Sequence, residues 1–366
     1  MKELEKFLNT VVFLLLGAAV GFVVIRCKEV TGADISFALY MICGILVLCL
    51  CVLLHTVIHE VGHMIGGLIS GYKFVSFRIL GFIWSKDGDR IKRGRLKITG
   101  TAGQCLMAPP KLVDGKMSWA LYNAGGILMN IIVSGVFAAL CLVFAAKPVL
   151  WAAFAILALV GVAMAVINAV PMKNGYNDGS NLMNMRKNPA AVGAFWTQLA
   201  VNAYISMGTR LKDMPAVWFA KTEDEDITNP IICGVAVLRV SRYMDEMRFD
   251  DAIAEADTLL KSGYLNPLYT NLVKCEALYL ELVGGADRAR VDGLYTDELK
   301  RFIKSMKKYP ATIRTEYAYA LLYEKNPQHA AEKKAAFEKA AAKYPYPCEM
   351  EGERELIEYA ESIAAE

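Results

Sequence analysis

His55-Thr56-Val57-Ile58-His59-Glu60-Val61-Gly62-His63 holds three of the chain's four histidines and closes an apolar run that begins near Ile35. Residues four apart share a helix face. His59 and His63 can therefore hold one metal ion between their imidazoles, with Glu60 beside it. An ionisable group at the end of an apolar span is costly to keep there, which marks the segment as functional. His55 lies one turn earlier on the same face, where it can act as an alternative ligand or a pore-facing polar residue, and where support of His59 or packing alone is favoured.

The run leading into this segment is one of four that reach the roughly 20 residues a helix needs to cross a hydrocarbon core. They are Phe7 to Ile25, Ile35 to Ile58, Ser118 to Ala146 and Val149 to Val170. Composition agrees: 55% of the 366 residues are hydrophobic and the mean hydropathy is +0.33, which excludes disorder and favours a membrane protein. The near-neutral formal charge of +3 hides an asymmetry, because residues 1–187 carry 18 Lys/Arg against 9 Asp/Glu while residues 188–366 carry 22 against 28. Ten of the basic residues lie in 72–117, including Arg90, Lys92, Arg93, Arg95 and Lys97. Positive segments stay inside, so this loop is expected in the cytoplasm. With four spans both termini follow it, in agreement with Lys2, Lys6, Lys173, Arg186 and Lys187. The expected placement is an integral, multi-pass protein of a bacterial cell membrane. The basic loop suits anionic lipid headgroups, and no nucleic acid is expected as a partner. Lys2 and Lys6 ahead of an apolar run also fit a secretory signal, but the run is longer than a usual signal core and the topology balances when the span is retained. The nine cysteines are odd in number and lack C-x-x-C, so they read as free, buried thiols.

Three regions are expected: 1–35, the first span and a short outside loop; 36–187, the membrane core including the 72–117 loop; and 188–366, a cytoplasmic helical domain. Within the loop, Tyr72 to Leu80 and Ile83 to Ile98 are rich in aromatic and β-branched residues, with Asp87-Gly88 as a hairpin signal. After Pro189 the periodicity becomes helical. Phe249, Ala252, Ile253, Ala256, Leu259 and Leu260 form one face, and Leu299, Phe302, Ile303 and Met306 another. Turn signals at Gly263, Asn266-Pro267, Gly284-Gly285, Tyr309-Pro310, Asn326-Pro327 and Tyr344-Pro345 cut the region into short helices. Arg248 to Ile253 resembles the second helix of a tetratricopeptide (TPR) repeat, without a steady 34-residue period. The fold class is thus an all-α membrane bundle of four transmembrane helices, with a small cytoplasmic β-hairpin or sheet insertion and a C-terminal α-helical, TPR-like soluble domain.

A catalytic zinc usually has three protein ligands and one open position. The best candidate for the third is Asp178, just past the fourth span, where Pro171 ends the helix and Gly179 allows a sharp turn. It sits on the same side of the membrane as His59. Asn174 and Asn177, in the six residues between Pro171 and Asp178, could share this role, and Asn177 is expected to stand behind the ligands as a support. In the third span, Gly125, Gly126, Asn123 and Asn130 interrupt apolar surroundings. Gly126 to Asn130 reads as an interface between the metal-bearing helices, with Asn130 either packing or standing beside the site, where it would help to hold substrate or intermediate.

The pattern His59-Glu60-x-x-His63, the G-x-x-x-N from Gly126 to Asn130, and Asn168-x-x-Pro171 leading to Asp178-Gly179 together resemble the site-2 proteases (peptidase family M50), which are intramembrane zinc metalloproteases. The resemblance covers about residues 36–185. It implies that His59, His63 and Asp178 bind Zn²⁺, that Glu60 is the acid/base, and that Asn168 helps to hold substrate or intermediate. It further implies cleavage of membrane-anchored proteins or remnant peptides near the cytoplasmic face. The helical region after Pro189 offers a surface for a protein partner. The alternatives are another membrane zincin serving protein quality control and a catalytically inactive scaffold that binds through its helical domain.

Overall fold

The computed structural model describes residues 2–32, 36–96, 101–172, 177–285 and 287–365, without the side chains at 2–9, 11–13 and 37. Ile35, Lys97, Ile98, Lys173 and Asn174, which figured in the expectations above, lie outside the described residues. The first helices are α1 (Lys2–Thr31) and α2 (Phe37–Ile69). Ser36 caps α2 by accepting a hydrogen bond from the Leu39 amide. The second span was expected to stop at Ile58, but α2 runs unbroken through the histidine motif to Ile69. Its 33 residues rise about 50 Å at 1.5 Å each, well beyond a bilayer core. Nothing in His59 to Ile69 breaks a helix, and Gly62 and Gly66 pack that last third on the next helix.

Four strands follow: β1 (Lys73–Ile79), β2 (Phe82–Asp87), β3 (Arg90–Arg95) and β4 (Gly103–Ala108), forming one sheet in the order β3-β2-β1-β4. The expected hairpin is β2 paired with β3 across Gly88, whose φ of +58° suits glycine. Sequence reading did not find β4, which pairs antiparallel with β1 from Lys73↔Ala108 to Ile79↔Gly103. Its central residues Cys105, Leu106 and Met107 are buried.

Next come α3 (Ala120–Val143), α4 (Pro148–Ala169) and α5 (Asp178–Lys187). α3 packs on both α2 and α4, and α5 packs on α3 and α4. A Cβ on Gly62 would overlap the Gly125 carbonyl, and one on Gly125 would overlap that of Gly62, so α2 and α3 touch backbone to backbone. Three helices, Ala38–Ile69, Ala120–Val143 and Pro148–Ala169, are long and apolar enough to cross a membrane. Their outward faces are apolar, with Leu46, Leu50, Ile132, Val136, Val149 and Val162 exposed, while His55, His59, Asn123 and Asn130 are buried. This inside-out distribution is what a lipid solvent imposes. The first expected span lies in α1, part of whose side chains are undescribed. Cys43 and Cys49 lie on the outward surface rather than inside, whereas Cys27, Cys51, Cys105, Cys233, Cys275 and Cys348 are buried thiols.

The chain divides into two compact units. One comprises 1–79, 102–111 and 117–187, the other 80–101, 112–116 and 188–366. Beyond Pro189 the second unit contains α6 (Ala190–Ser206), α7 (Pro230–Asp245), α8 (Phe249–Ser262), α9 (Pro267–Val283), α10 (Arg288–Leu294), α11 (Asp297–Ser305), α12 (Pro310–Ala318), α13 (Pro327–Ala341) and α14 (Pro347–Ala365). Successive helices α6 to α9 pack on one another. The expected punctuation falls where the helices end. Gly263 caps α8 in the left-handed region, and Asn266 and Asn326 cap α9 and α13 ahead of prolines. Arg239 and Arg314, both fully buried, are matched by Glu225 with Glu255 and by Glu276 with Glu353.

Candidate metal centre

Each histidine ring is oriented by a group behind it. The Nδ1 of His63 lies 2.7 Å from the Tyr122 carbonyl oxygen, which can only accept, so Nδ1 carries the proton and the Nε2 lone pair faces inward. Tyr122 is held in turn: its hydroxyl donates to the Cys105 carbonyl at 2.9 Å and its ring stacks on Tyr72. His59 lies on the same face one turn earlier. Its ring fills the space that Gly126 leaves open, since a Cβ there would come within 2.5 Å of the ring.

The carboxylate comes from α5. Asn177, directly before that helix, uses all of its amide. Nδ2 donates to the Ile167 and Val170 carbonyls at 2.8 and 2.7 Å, and Oδ1 accepts from the Ser180 amide and hydroxyl at 3.0 and 2.7 Å. The Ser180 hydroxyl also bonds Met172, accepting from its amide at 2.8 Å. Asn177 thus caps α5 and ties it to the last carbonyls of α4, which fixes Asp178. With no free amide atom, Asn177 is no third ligand but the support of Asp178. The turn expected at Asp178-Gly179 is instead the first turn of a helix. Gly179 is required there because a Cβ would overlap the Ala169 carbonyl.

His59, His63 and Asp178 therefore converge. The two Nε2 atoms are 3.1 Å apart, His59 Nε2 is 3.1 Å from Asp178 Oδ2, and His63 Nε2 is 3.3 Å from Asp178 Oδ1. Ligands about 2.0–2.1 Å from a tetrahedral zinc are separated by about 3.3 Å, so the spacing fits one such ion. Among the described residues these three form the group able to hold a metal. The inward lone pair of His63 faces a carboxylate and is repelled by it unless a cation lies between them, and the buried Asp178 Oδ2 has no hydrogen-bond partner.

Glu60 is buried beside the trio. It accepts a hydrogen bond from the Cys105 amide of β4 and interacts electrostatically with His63, His59 and Asp178. Gly103 leaves the space it occupies, for a Cβ there would lie 2.7 Å from Glu60 Oε1. Asn130 and His55 are both fully buried. Asn130 reaches Nδ1 of His55 at 3.2 Å and Nδ1 of His59 at 3.3 Å, so it stands at the site rather than in plain packing. Asn168 is not brought to the trio by any hydrogen bond. Its Nδ2 donates at 2.9 Å to Met164 on its own helix. Sequence reading missed Tyr122, Ser180 and Gly103. Tyr122 acts on His63 through its backbone carbonyl and Gly103 acts by clearance, neither of which stands out in a sequence, and Ser180 lies three residues after the asparagine it bonds, a capping spacing that was open to view.

Compared with known proteins, the chain matches no family model, no curated protein and no solved structure. Its own residues and their geometry carry the functional reading.

Proposed function

We propose that the chain is a zinc metalloendopeptidase that cuts membrane-anchored proteins or remnant peptides at the cytoplasmic side of the membrane. The observation that supports this most is the tetrahedral spacing of His59 Nε2, His63 Nε2 and an Asp178 oxygen next to a buried glutamate, at the end of an apolar helix. Two neutral imidazoles and a carboxylate are a donor set that suits Zn²⁺ and leaves one position open. When bound there, zinc would supply Lewis acidity towards water and the scissile carbonyl. Glu60 takes a proton from the attacking water on its carboxylate and returns it to the leaving amine nitrogen. The Cys105 amide holds one side of that carboxylate in place, and the apolar walls of α2 and α3 exclude bulk water. In this reading four helices span the membrane, with both termini and the basic strand region in the cytoplasm. The helices beyond Pro189, TPR-like in part, take a protein partner.

The test is Glu60→Gln in the full chain. Zinc content stays at the wild-type level and fragments of membrane proteins disappear from the cell. Cellular function that survives the change would favour the scaffold instead.

A further inference from the structure

The histidine not needed as a ligand is tied to one that is. His55 Nε2 lies 2.8 Å from the Leu157 carbonyl oxygen of α4. That oxygen only accepts, so Nε2 of His55 carries a proton and the neutral ring turns an acceptor, Nδ1, toward Asn130. On the other side of the same amide stands Nδ1 of His59. With the Nε2 of His59 committed to a metal, its Nδ1 is a donor. The amide of Asn130 therefore has an acceptor on one side and a donor on the other, both buried, and an amide has one group for each.

As it stands, Oδ1 faces His55 at 3.2 Å and Nδ2 faces His59 at 3.3 Å, which sets acceptor against acceptor and donor against donor. A half-turn of the amide, which exchanges two groups of nearly equal size, pairs every atom. The line then runs from His59 Nδ1–H to Asn130 Oδ1, from Asn130 Nδ2–H to His55 Nδ1, and from His55 Nε2–H to the Leu157 carbonyl. Space is cut to fit these rings: a Cβ on Gly126 would strike His59, and one on Gly161 would overlap His55.

We infer that Asn130, itself oriented by His55, accepts the His59 Nδ1 proton and so fixes the Nε2 lone pair of His59 on the metal. Asn130 and His55 are positioning residues. They connect α2, α3 and α4 behind the ligand and touch no substrate. The inference rests on the metal reading above and adds to it which tautomer His59 holds and what holds it.

Zinc affinity of the purified full chain, measured by competition with a chelator, tests this together with nuclear magnetic resonance of ¹⁵N-histidine-labelled protein. Four histidines in the sequence keep such spectra readable. Asn130→Leu removes the acceptor and weakens zinc binding about 10–100-fold. Asn130→Asp keeps an acceptor for His59 and loses only the donor to His55, so its zinc affinity lies between those of Asn130→Leu and wild type, and an affinity as low as that of Asn130→Leu would overturn the relay. In the zinc-loaded wild type the His59 proton is found on Nδ1. An Asn130→Leu protein with wild-type affinity, or a His59 proton on Nε2, would overturn the relay. The wild-type spectrum decides even where Asn130→Leu does not fold. A wild type that binds no zinc overturns the metal reading and the relay with it, whereas a wild type that binds zinc beside an unaffected Asn130→Leu overturns the relay alone.

Discussion

Replacing Asn177 with alanine should detach Asp178 from the site without touching any ligand. The substitution removes two bonds to the Ile167 and Val170 carbonyls and two from Ser180, all between 2.7 and 3.0 Å. At about 0.5–1.5 kcal/mol net for each bond, the loss is about 2–6 kcal/mol, of which the helix cap accounts for about 1. A share of about 1.4–2.8 kcal/mol appearing at the site would lower metal affinity about 10–100-fold. Asn177→Asp separates the two functions of the residue. It still caps α5 through Ser180, but it turns a carboxylate oxygen toward two carbonyl oxygens, so α5 is repelled from α4. Its metal affinity should fall at least as far as that of Asn177→Ala. The assay is chelator competition on detergent-purified protein, with circular dichroism to follow helix content. If both variants bind zinc as wild type does, Asn177 does not place Asp178 and the account of the α4–α5 junction is wrong.

Gly103→Ala should displace Glu60, because the new Cβ would sit 2.7 Å from its Oε1. Turnover should fall while zinc content is unchanged, and a parallel loss of both would contradict the assigned division of labour. Gly62→Ala should separate α2 from α3 by overlapping the Gly125 backbone, costing about 1–3 kcal/mol of stability, read as a lower thermal midpoint in detergent. In the second unit, burial pushes the Glu349 carboxyl up to about 7, with Glu353 and Asp245 adding to the effect. A carboxyl whose folded value lies above its unfolded one costs stability as pH rises from about 4.5 to 7 and no more beyond. Glu349→Gln should therefore stabilise this unit above pH 7 by at most about 3 kcal/mol, nearer 1–2 for a half-buried group, and should leave it unchanged below about pH 4.5. Denaturant midpoints at pH 4 and pH 8 check this, and an equal effect at both would exclude the proton as the cause.

What the sequence made readable follows from how local each signal is. His59, Glu60 and His63 were visible because a helix converts a spacing of four into a shared face. Asp178 had no spacing to rely on and was reached through the converging ends of two apolar runs. The Asp178-Gly179 pair was expected to turn because those residue types usually do. In the fold, Asn177 supplies a cap and the glycine supplies clearance, which makes the same letters a helix start. The strand β4 was invisible for another reason: Gly103–Ala108 is short, lacks alternation, and acquires its role only by pairing with β1 and lying against α2. The end of α2 was misjudged because hydropathy reports where lipid stops, whereas helix continuity is set by backbone packing against α3.

The candidate metal ligands are split between one long early helix and a short late one, and this sets an order during synthesis. About 115 residues separate His63 from Asp178, so at 5–20 residues per second a ribosome needs roughly 6–23 s to supply the closing carboxylate after the imidazole pair has been made. On the proposed function, a nascent chain stalled anywhere in that interval lacks a complete set of ligands, so cleavage begins only when α5 has been laid down.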